Sequence, residues 1–263
     1  MIIEIIIPAY NCTKTLHRTL SSLDCQTDTD FSVHVIDDCS TEDLSHIIDM
    51  HKNLNIRVTR NEKNLGCGMT RQVGIDNTTA DYIAFLDSDD VLMPYTVEIW
   101  RKMAESNDSI DLFHSYFYEQ KNKELVLYKQ GYTWCHGKLY KTSFIKKWDI
   151  RNNPEVKFAD DSFFNSVCMG LGTTANIPIA MYMWLNNTDS ITRKRIDYYS
   201  SLETIDDFVY AMKLSTTFLL NNGVDVKKHM KDTLEVIERM KPHFSSKAFE
   251  EYNELISLIN GGD

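Results

Sequence analysis

The chain has 263 residues, enough to bury a core without disulfide or metal staples. Hydrophobic residues make up 43% and charged residues 25%, a globular composition that excludes wholesale disorder, collagen and a coiled-coil rod. Lysine and arginine number 28 against 38 aspartate and glutamate, and the net charge of −10 argues against a duplex nucleic-acid binder, which needs a basic face.

In chain order, the first ~110 residues alternate strand and helix patterns. The nearly continuous β-branched run at 2–7 predicts a buried strand, ended by Pro8-Ala9-Tyr10-Asn11. Apolar spacing at Leu16, Leu20 and Leu23 predicts a helix over 13–25. A second strand at 31–36 is closed by Asp37-Asp38-Cys39-Ser40-Thr41, where Ser40 or Thr41 is a candidate cap for a helix carrying Leu44, Ile47 and Ile48. A third strand at 54–59 leads through the polar loop 61–68 to a helix at 69–76, and a fourth at 82–86 ends in Asp87-Ser88-Asp89-Asp90. Repeated strand–helix–strand units imply a mostly parallel sheet flanked by helices. Beyond it, strands are expected at 111–118 and 125–128 and helices at 140–148 and 160–169. From about residue 196 the pattern is helical, with faces Ile205/Phe208/Val209/Met212 and Phe249/Tyr252/Ile256/Ile259.

No apolar run approaches the ~20 residues that span a bilayer. The opening Met1-Ile2-Ile3-Glu4 lacks the basic leader of a signal peptide, so a cytoplasmic chain is the expectation. None of the six cysteines forms a CxxC pair, and reduced thiols are expected.

Ligands of parallel sheets bind beyond the carboxyl ends of the strands, where the polar clusters at 8–11, 37–41 and 87–90 all fall. Carboxylates crowded at Asp87, Asp89 and Asp90 suit a hard divalent cation bridged to phosphates, although a solvated turn gives the same pattern. Asp37-Asp38 offers acceptors to a base or ribose, or an Asx-turn. Tyr10 offers a flat ring to a base. Asp160-Asp161 is either a dipole-favoured helix start or a general base. Lys138 and Arg193 are candidate phosphate contacts, and the eight histidines include no HExxH. Neither GxGxxG nor GxxxxGK[ST] follows the first strand.

Taken in order, these stretches resemble the family 2 glycosyltransferases of GT-A fold. The resembling segments are Ile5-Ile6-Ile7-Pro8-Ala9-Tyr10-Asn11, Val35-Ile36-Asp37-Asp38-Cys39-Ser40 (Cys39 where glycine is usual), Asn61-Glu62-Lys63-Asn64-Leu65-Gly66 with Arg71, Asp87-Ser88-Asp89-Asp90 as the DxD motif, Gly137-Lys138-Leu139-Tyr140-Lys141, and Asp160-Asp161-Ser162-Phe163-Phe164. The resemblance spans about residues 2–195, implying a catalytic domain over 1–195 with a helical extension, 196–263, packed on it. It implies an inverting, metal-dependent transfer of one sugar from a nucleotide-diphosphate sugar, usually a UDP-sugar, to an acceptor hydroxyl.

The resemblance also implies roles. Pro8, Ala9, Tyr10, Asn11, Asp38, Asn64, Gly66, Arg71, Asp87 and Ser88 would bind the donor. Asp89 and Asp90 would hold Mn²⁺ or Mg²⁺. Asp161, or its neighbour Asp160, would be the base, with Trp134, His136 and Lys138 toward the acceptor. The acceptor, a glycan, a lipid-linked saccharide or another hydroxyl, is open, as are peripheral membrane association and a homodimer. A sugar nucleotidyltransferase would need a glycine-rich phosphate loop after the first strand. A catalytically silent binding module would keep the donor site without turnover.

Overall fold

The computed structural model describes residues 1–121, 123–129, 133–187 and 201–261. The chain divides into two compact units. The first comprises 1–131, 135–151 and 172–186, and the second 132–134, 152–171 and 187–263. Residues 152–171 therefore group with the helical tail, whereas the sequence drew its line near 195.

The first unit is built on a nine-stranded sheet of order β3-β2-β1-β4-β8-β6-β9-β5, with β7 paired to β6. The strands are β1 (Ile3–Ala9), β2 (Ser32–Asp37), β3 (Asn55–Arg60), β4 (Tyr82–Phe85), β5 (Val91–Leu92), β6 (Leu112–Lys121), β7 (Glu124–Tyr128), β8 (Lys138–Lys141) and β9 (Thr174–Trp184). β1 pairs in parallel with β2 and β4, and β2 with β3. All seven residues of β1 are buried, as a β-branched strand covered on both faces requires. The other half of the sheet is mixed: β8 runs antiparallel to β4 and β6, while β9 runs parallel to β6 and antiparallel to β5.

Helices α1 (Leu16–Asp24), α2 (Ser45–Ile48), α3 (Cys67–Asn77), α4 (Thr96–Ser106) and α5 (Thr142–Lys147) accompany the sheet. α1 buries Leu16, Thr19, Leu20 and Leu23, one stripe at helical spacing. α3 lies close on the sheet, since a Cβ at Gly74 would stand 2.6 Å from Ile6 Cγ2 and 2.9 Å from Ile36 Cδ1. α2 is a single turn whose N-cap is Leu44, so neither Ser40 nor Thr41 caps it. The helix expected at 140–148 begins only at Thr142, because Lys138–Lys141 is occupied as a strand. All six cysteines are free thiols.

The second unit contains α6 (Asp160–Leu171), α7 (Leu202–Asn221), α8 (Val226–His229), α9 (Lys231–Met240) and α10 (Ser246–Asn260). Ser201 and Ser245 cap α7 and α10 by accepting the amides of Thr204 and Ala248. α6 and α7 approach closely at Gly170, where a Cβ would meet Leu219 Cδ2 at 2.6 Å. α7 buries Ile205, Val209 and Met212 as expected, but α10 buries Ala248, Tyr252, Leu255 and Ile259, leaving Phe249 exposed. Arg193 lies outside the described residues. Among the described residues, no helix is long and apolar enough to cross a membrane.

Candidate active site

The loops after β1, β2 and β4 meet at the carboxyl ends of adjacent parallel strands. Asn11, at a left-handed φ of 46°, accepts the Thr41 amide at 2.8 Å and the Thr41 hydroxyl at 3.1 Å through Oδ1. Its own amide donates to Ser40 Oγ at 3.0 Å. The first two loops are thereby stitched together. Cys39 also takes a left-handed φ, 62°, a backbone state that favours glycine.

Asp38 is buried and organises the third loop. Its Oδ1 accepts Asn61 Nδ2 and the Leu65 amide, both at 2.8 Å, and its Oδ2 accepts the Gly66 amide at 2.9 Å. Gly66 holds φ 82°, and the helix that follows carries Arg71 back to the sheet. Tyr10, by contrast, is 50% exposed, leaving a ring face available at the rim.

The turn after β4 carries the densest charge. Arg71 is buried and donates to Asp87 Oδ1 at 2.6 Å, with its guanidinium 5.8 Å from the Phe85 ring. His136 Nε2 stands 3.8 Å from Asp87 Oδ2. Burial opposes the Asp87 charge, but Arg71 and His136 outweigh it and hold the carboxyl well below the usual range. Asp90 has no exposed surface and accepts the Tyr182 hydroxyl at 2.5 Å and the Leu185 amide at 2.8 Å. Burial, then the charges of Asp89 and Asp87, push its carboxyl well above the usual range.

Ligand atoms of Asp87, Asp90 and His136 all lie within 4.8 Å of one another. Two carboxylates and one imidazole form a donor set that could hold a divalent cation, and a cation there would relieve the carboxylate repulsion. The imidazole is fixed by aromatic walls. His136 stacks on Tyr182 at 4.6 Å between centroids, meets Phe117 edge-on at 5.2 Å and leans on Trp184 at 5.3 Å.

In the second unit, Asp160 and Asp161 open α6, and both lie in its first turn. Asp160 is buried and Asp161 half-buried. Phe163 and Phe164 anchor the turn in the core, and Asn165 Nδ2 donates to the Asp161 carbonyl at 2.8 Å.

Comparison with known proteins fits this geometry. The family model described as Glycosyl transferase family 2 matches residues 4–160. The chain belongs to that family. It is 28% identical over 270 residues to the poly(ribitol-phosphate) beta-N-acetylglucosaminyltransferase TarS of Staphylococcus aureus, covering 92% of this chain and 44% of TarS. The chain thus spans less than half the length of that relative. The crystal structure of S. aureus TarS 1-349 in complex with UDP-GlcNAc superposes with a TM-score of 0.80 at 21% identity, over 98% of this chain and 82% of that one. The mannosyltransferase PcManGT from Pyrobaculum calidifontis, in complex with GDP-Man and Mn²⁺, matches with a TM-score of 0.63 at 11% identity, over 99% of this chain and 76% of that one. These likenesses show the GT-A fold.

Within this family 2 domain, the structure groups the expected residues differently from the sequence reading. The expectation put Asp89 and Asp90 at the cation; in the structure ligand atoms of Asp90 lie together with those of Asp87 and His136. Asp89 is half-buried, and its backbone carbonyl accepts Arg18 at 2.6 Å. Ser88 lies half-buried in the same turn, hydrogen-bonded to the Cys12 thiol, which burial pushes up to about 11. Pro8 and Ala9 are the last buried residues of β1, not a turn. Asn64 is exposed in the loop that Asp38 holds. Of the three acceptor-side candidates, His136 joins the carboxylate cluster. Lys138 is buried to 2% exposure within β8, and Trp134 is half-buried in the second unit. Tyr182 and Trp184, which wall His136, carry no signal in the sequence, and Asn61, part of the resembling loop segment, gains a site role as a donor to Asp38. Their role follows from tertiary pairing.

Proposed function

We propose that this domain is a metal-dependent, inverting glycosyltransferase that moves one sugar from a UDP-sugar to an acceptor hydroxyl. The observation carrying this reading is the Arg71–Asp87–His136–Asp90 cluster at the carboxyl end of β4. A family 2 domain needs its diphosphate charge held at such a place.

In this reading, Tyr10 packs against the base, and Asp38 orders the Asn61–Gly66 loop around it. Asn11, with Pro8 and Ala9 behind it, holds the first two loops in register. Ser88 and Asp87 face the ribose. Asp87, Asp90 and His136 would hold the divalent ion, with Asp89 adding charge from the same turn. The bound ion supplies charge neutralisation for the departing nucleoside diphosphate. Asp161, with Asp160 as its neighbour, accepts the proton of the acceptor hydroxyl. The freed oxygen attacks the anomeric carbon, the bond to the diphosphate breaks, and its electron pair leaves with the nucleotide. Attack opposite the leaving group inverts the centre.

The poly(ribitol-phosphate) acceptor in the name of TarS supports a hydroxyl on a polyol-phosphate or glycan chain as the acceptor class here. A cytoplasmic domain meeting a membrane-linked acceptor from outside the bilayer accords with this reading.

The test is a thermal-shift screen with UDP, GDP, CDP and TDP and their sugars, each with and without Mn²⁺. A ligand at ~100 times its Kd stabilises by about 2.7 kcal/mol. Mn²⁺-dependent stabilisation by UDP-sugars, with turnover lost in Asp161→Asn but binding kept, is the expected result. Binding without turnover in the wild type would instead make the domain a silent sugar-nucleotide module.

A further inference from the structure

The sequence leaves the C-terminal helices without a role, and one of them grips the backbone just ahead of α6. Residues 152–159 enter the helix without regular structure. Three consecutive amides there point at a single side chain. Asp207, on α7, accepts Lys157 N at 3.1 Å on both oxygens, Phe158 N at 2.7 Å and Ala159 N at 2.8 Å. Ala159 is also the residue whose carbonyl accepts the Phe163 amide at 2.9 Å, so the clamp closes on the residue that starts the helix.

One turn further along α7, the Tyr210 hydroxyl donates to Glu155, gripping the same entry segment. α7 is itself tied to α10, because Lys213 is held between Glu251 and Glu254. A path of direct contacts therefore runs from α10 through α7 to the backbone that leads into Asp160 and Asp161.

We infer that Asp207 is a positioning residue for the carboxylate that acts as base. This rests on the reading of Asp161, or Asp160, as that base. The choice of side chain supports a task beyond capping. A serine or asparagine satisfies one or two orphan amides at a helix start without charge. Asp207 instead holds the amides of Lys157, Phe158 and Ala159, three residues that precede the helix, so it fixes the path of the chain into α6 rather than the amides of the helix's own first turn. Such an arrangement fixes the direction in which the chain enters the first turn. General-base transfer depends on that turn, because a misplacement of about 1 Å can lower a rate by about 100-fold.

The experiment compares Asp207→Ala, Asp207→Asn, Asp161→Asn and Asp160→Asn in the full chain with Mn²⁺. It reads nucleotide release from UDP-N-acetylglucosamine and, where that donor is inert, from the other UDP-, GDP-, CDP- and TDP-sugars, together with UDP affinity and melting temperature. The expected result for Asp207→Ala is a kcat lower by about 10- to 100-fold. KM for the donor and UDP affinity should stay within about twofold of wild type, the split that marks lost positioning rather than lost binding. Asp207→Asn, which keeps one acceptor oxygen and nearly the same shape, should fall between. Wild-type kcat in both Asp207 variants beside a dead Asp161→Asn overturns this inference and leaves the base reading standing. Loss of kcat, UDP affinity and melting temperature together in both Asp207 variants marks a structural cap and also overturns it. Full turnover in Asp161→Asn and Asp160→Asn, or no nucleotide release by wild type from any UDP-, GDP-, CDP- or TDP-sugar, removes the base reading and this inference with it.

Discussion

The Tyr182 hydroxyl donates to Asp90 at 2.5 Å across 92 positions of sequence. Asp90 has no exposed surface, so water cannot replace the donor. Tyr182→Phe leaves a buried carboxylate short of a partner, an unmet need worth about 1–3 kcal/mol. The variant should melt below the wild type in a scan without ligand, and Mn²⁺ should recover part of the difference. Equal melting temperatures would show that the hydroxyl does not support Asp90.

Arg71 and Asp87 form a second pair to be broken. Arg71→Met leaves the Asp87 carboxylate facing His136 alone, and a broken buried pair costs about 3 kcal/mol. Urea unfolding should show the loss. Adding Asp87→Asn removes the stranded charge, so the double variant should be more stable than Arg71→Met alone. A double variant no better than the single one would mean that Arg71 acts by packing on Phe85 rather than by charge.

Cys39 stands in left-handed backbone with φ 62°. Cys39→Gly releases that strain, at the expense of a freer unfolded chain and the thiol contact to the Glu62 carbonyl at 3.6 Å. The balance should favour glycine by about 0.5–1 kcal/mol, read as a higher urea midpoint with an unchanged slope. A lower midpoint would show that the thiol contact outweighs the strain.

Acid stability should track His34. Burial, then the Arg57 charge, lowers this imidazole to about 4, while its Nε2 pairs with Thr59 Oγ1 at 2.8 Å. His114 is likewise lowered to about 4, by burial and then by Lys138. In the unfolded chain both regain an ordinary value near 6.5. Between those values the unfolded state binds more protons, so stability rises with pH. It is complete above about pH 6.5 and is lost as pH falls toward 4, by up to about 3 kcal/mol for His34. His34→Gln should flatten the fall of melting temperature across that window. An unchanged slope would place the acid sensitivity elsewhere.

The parallel half of the fold was legible because its strands are short apolar or alternating runs, each closed by a polar turn, and because α1 after β1 carries a clear apolar stripe. β8 was hidden by its length, since Lys138–Lys141 runs straight into α5 and reads as the start of that helix. β9 was hidden by Pro178, which removes a ladder donor and argues against a strand. The structure accommodates it with a register shift: Ser115 pairs Ile177, but Tyr116 pairs Ala180, so Pro178 and Ile179 fall in the irregularity. The same two omissions limited the site. The polar turns were readable as a ligand-binding edge. The convergence of His136 with Asp87 depends on β8 lying beside β4, and the walls of His136 depend on β9. No spacing in the sequence encodes either meeting.

The placement of β9 also bears on how the chain reaches this state. It is the last strand of the sheet in sequence, yet it sits between β6 and β5, both completed long before it. Its contacts reach back 62 positions, from Thr174 to Leu112, and 92, from Tyr182 to Asp90. The sheet therefore cannot zip up in the order of synthesis. The β3-β2-β1-β4 half can assemble from neighbouring segments, while β5 waits for a distant strand before its edge is covered. Such non-local pairing slows folding and leaves strand edges open meanwhile. Refolding from denaturant should show an early phase in which the parallel half gains amide protection and a later one in which β5, β6 and β9 gain it together.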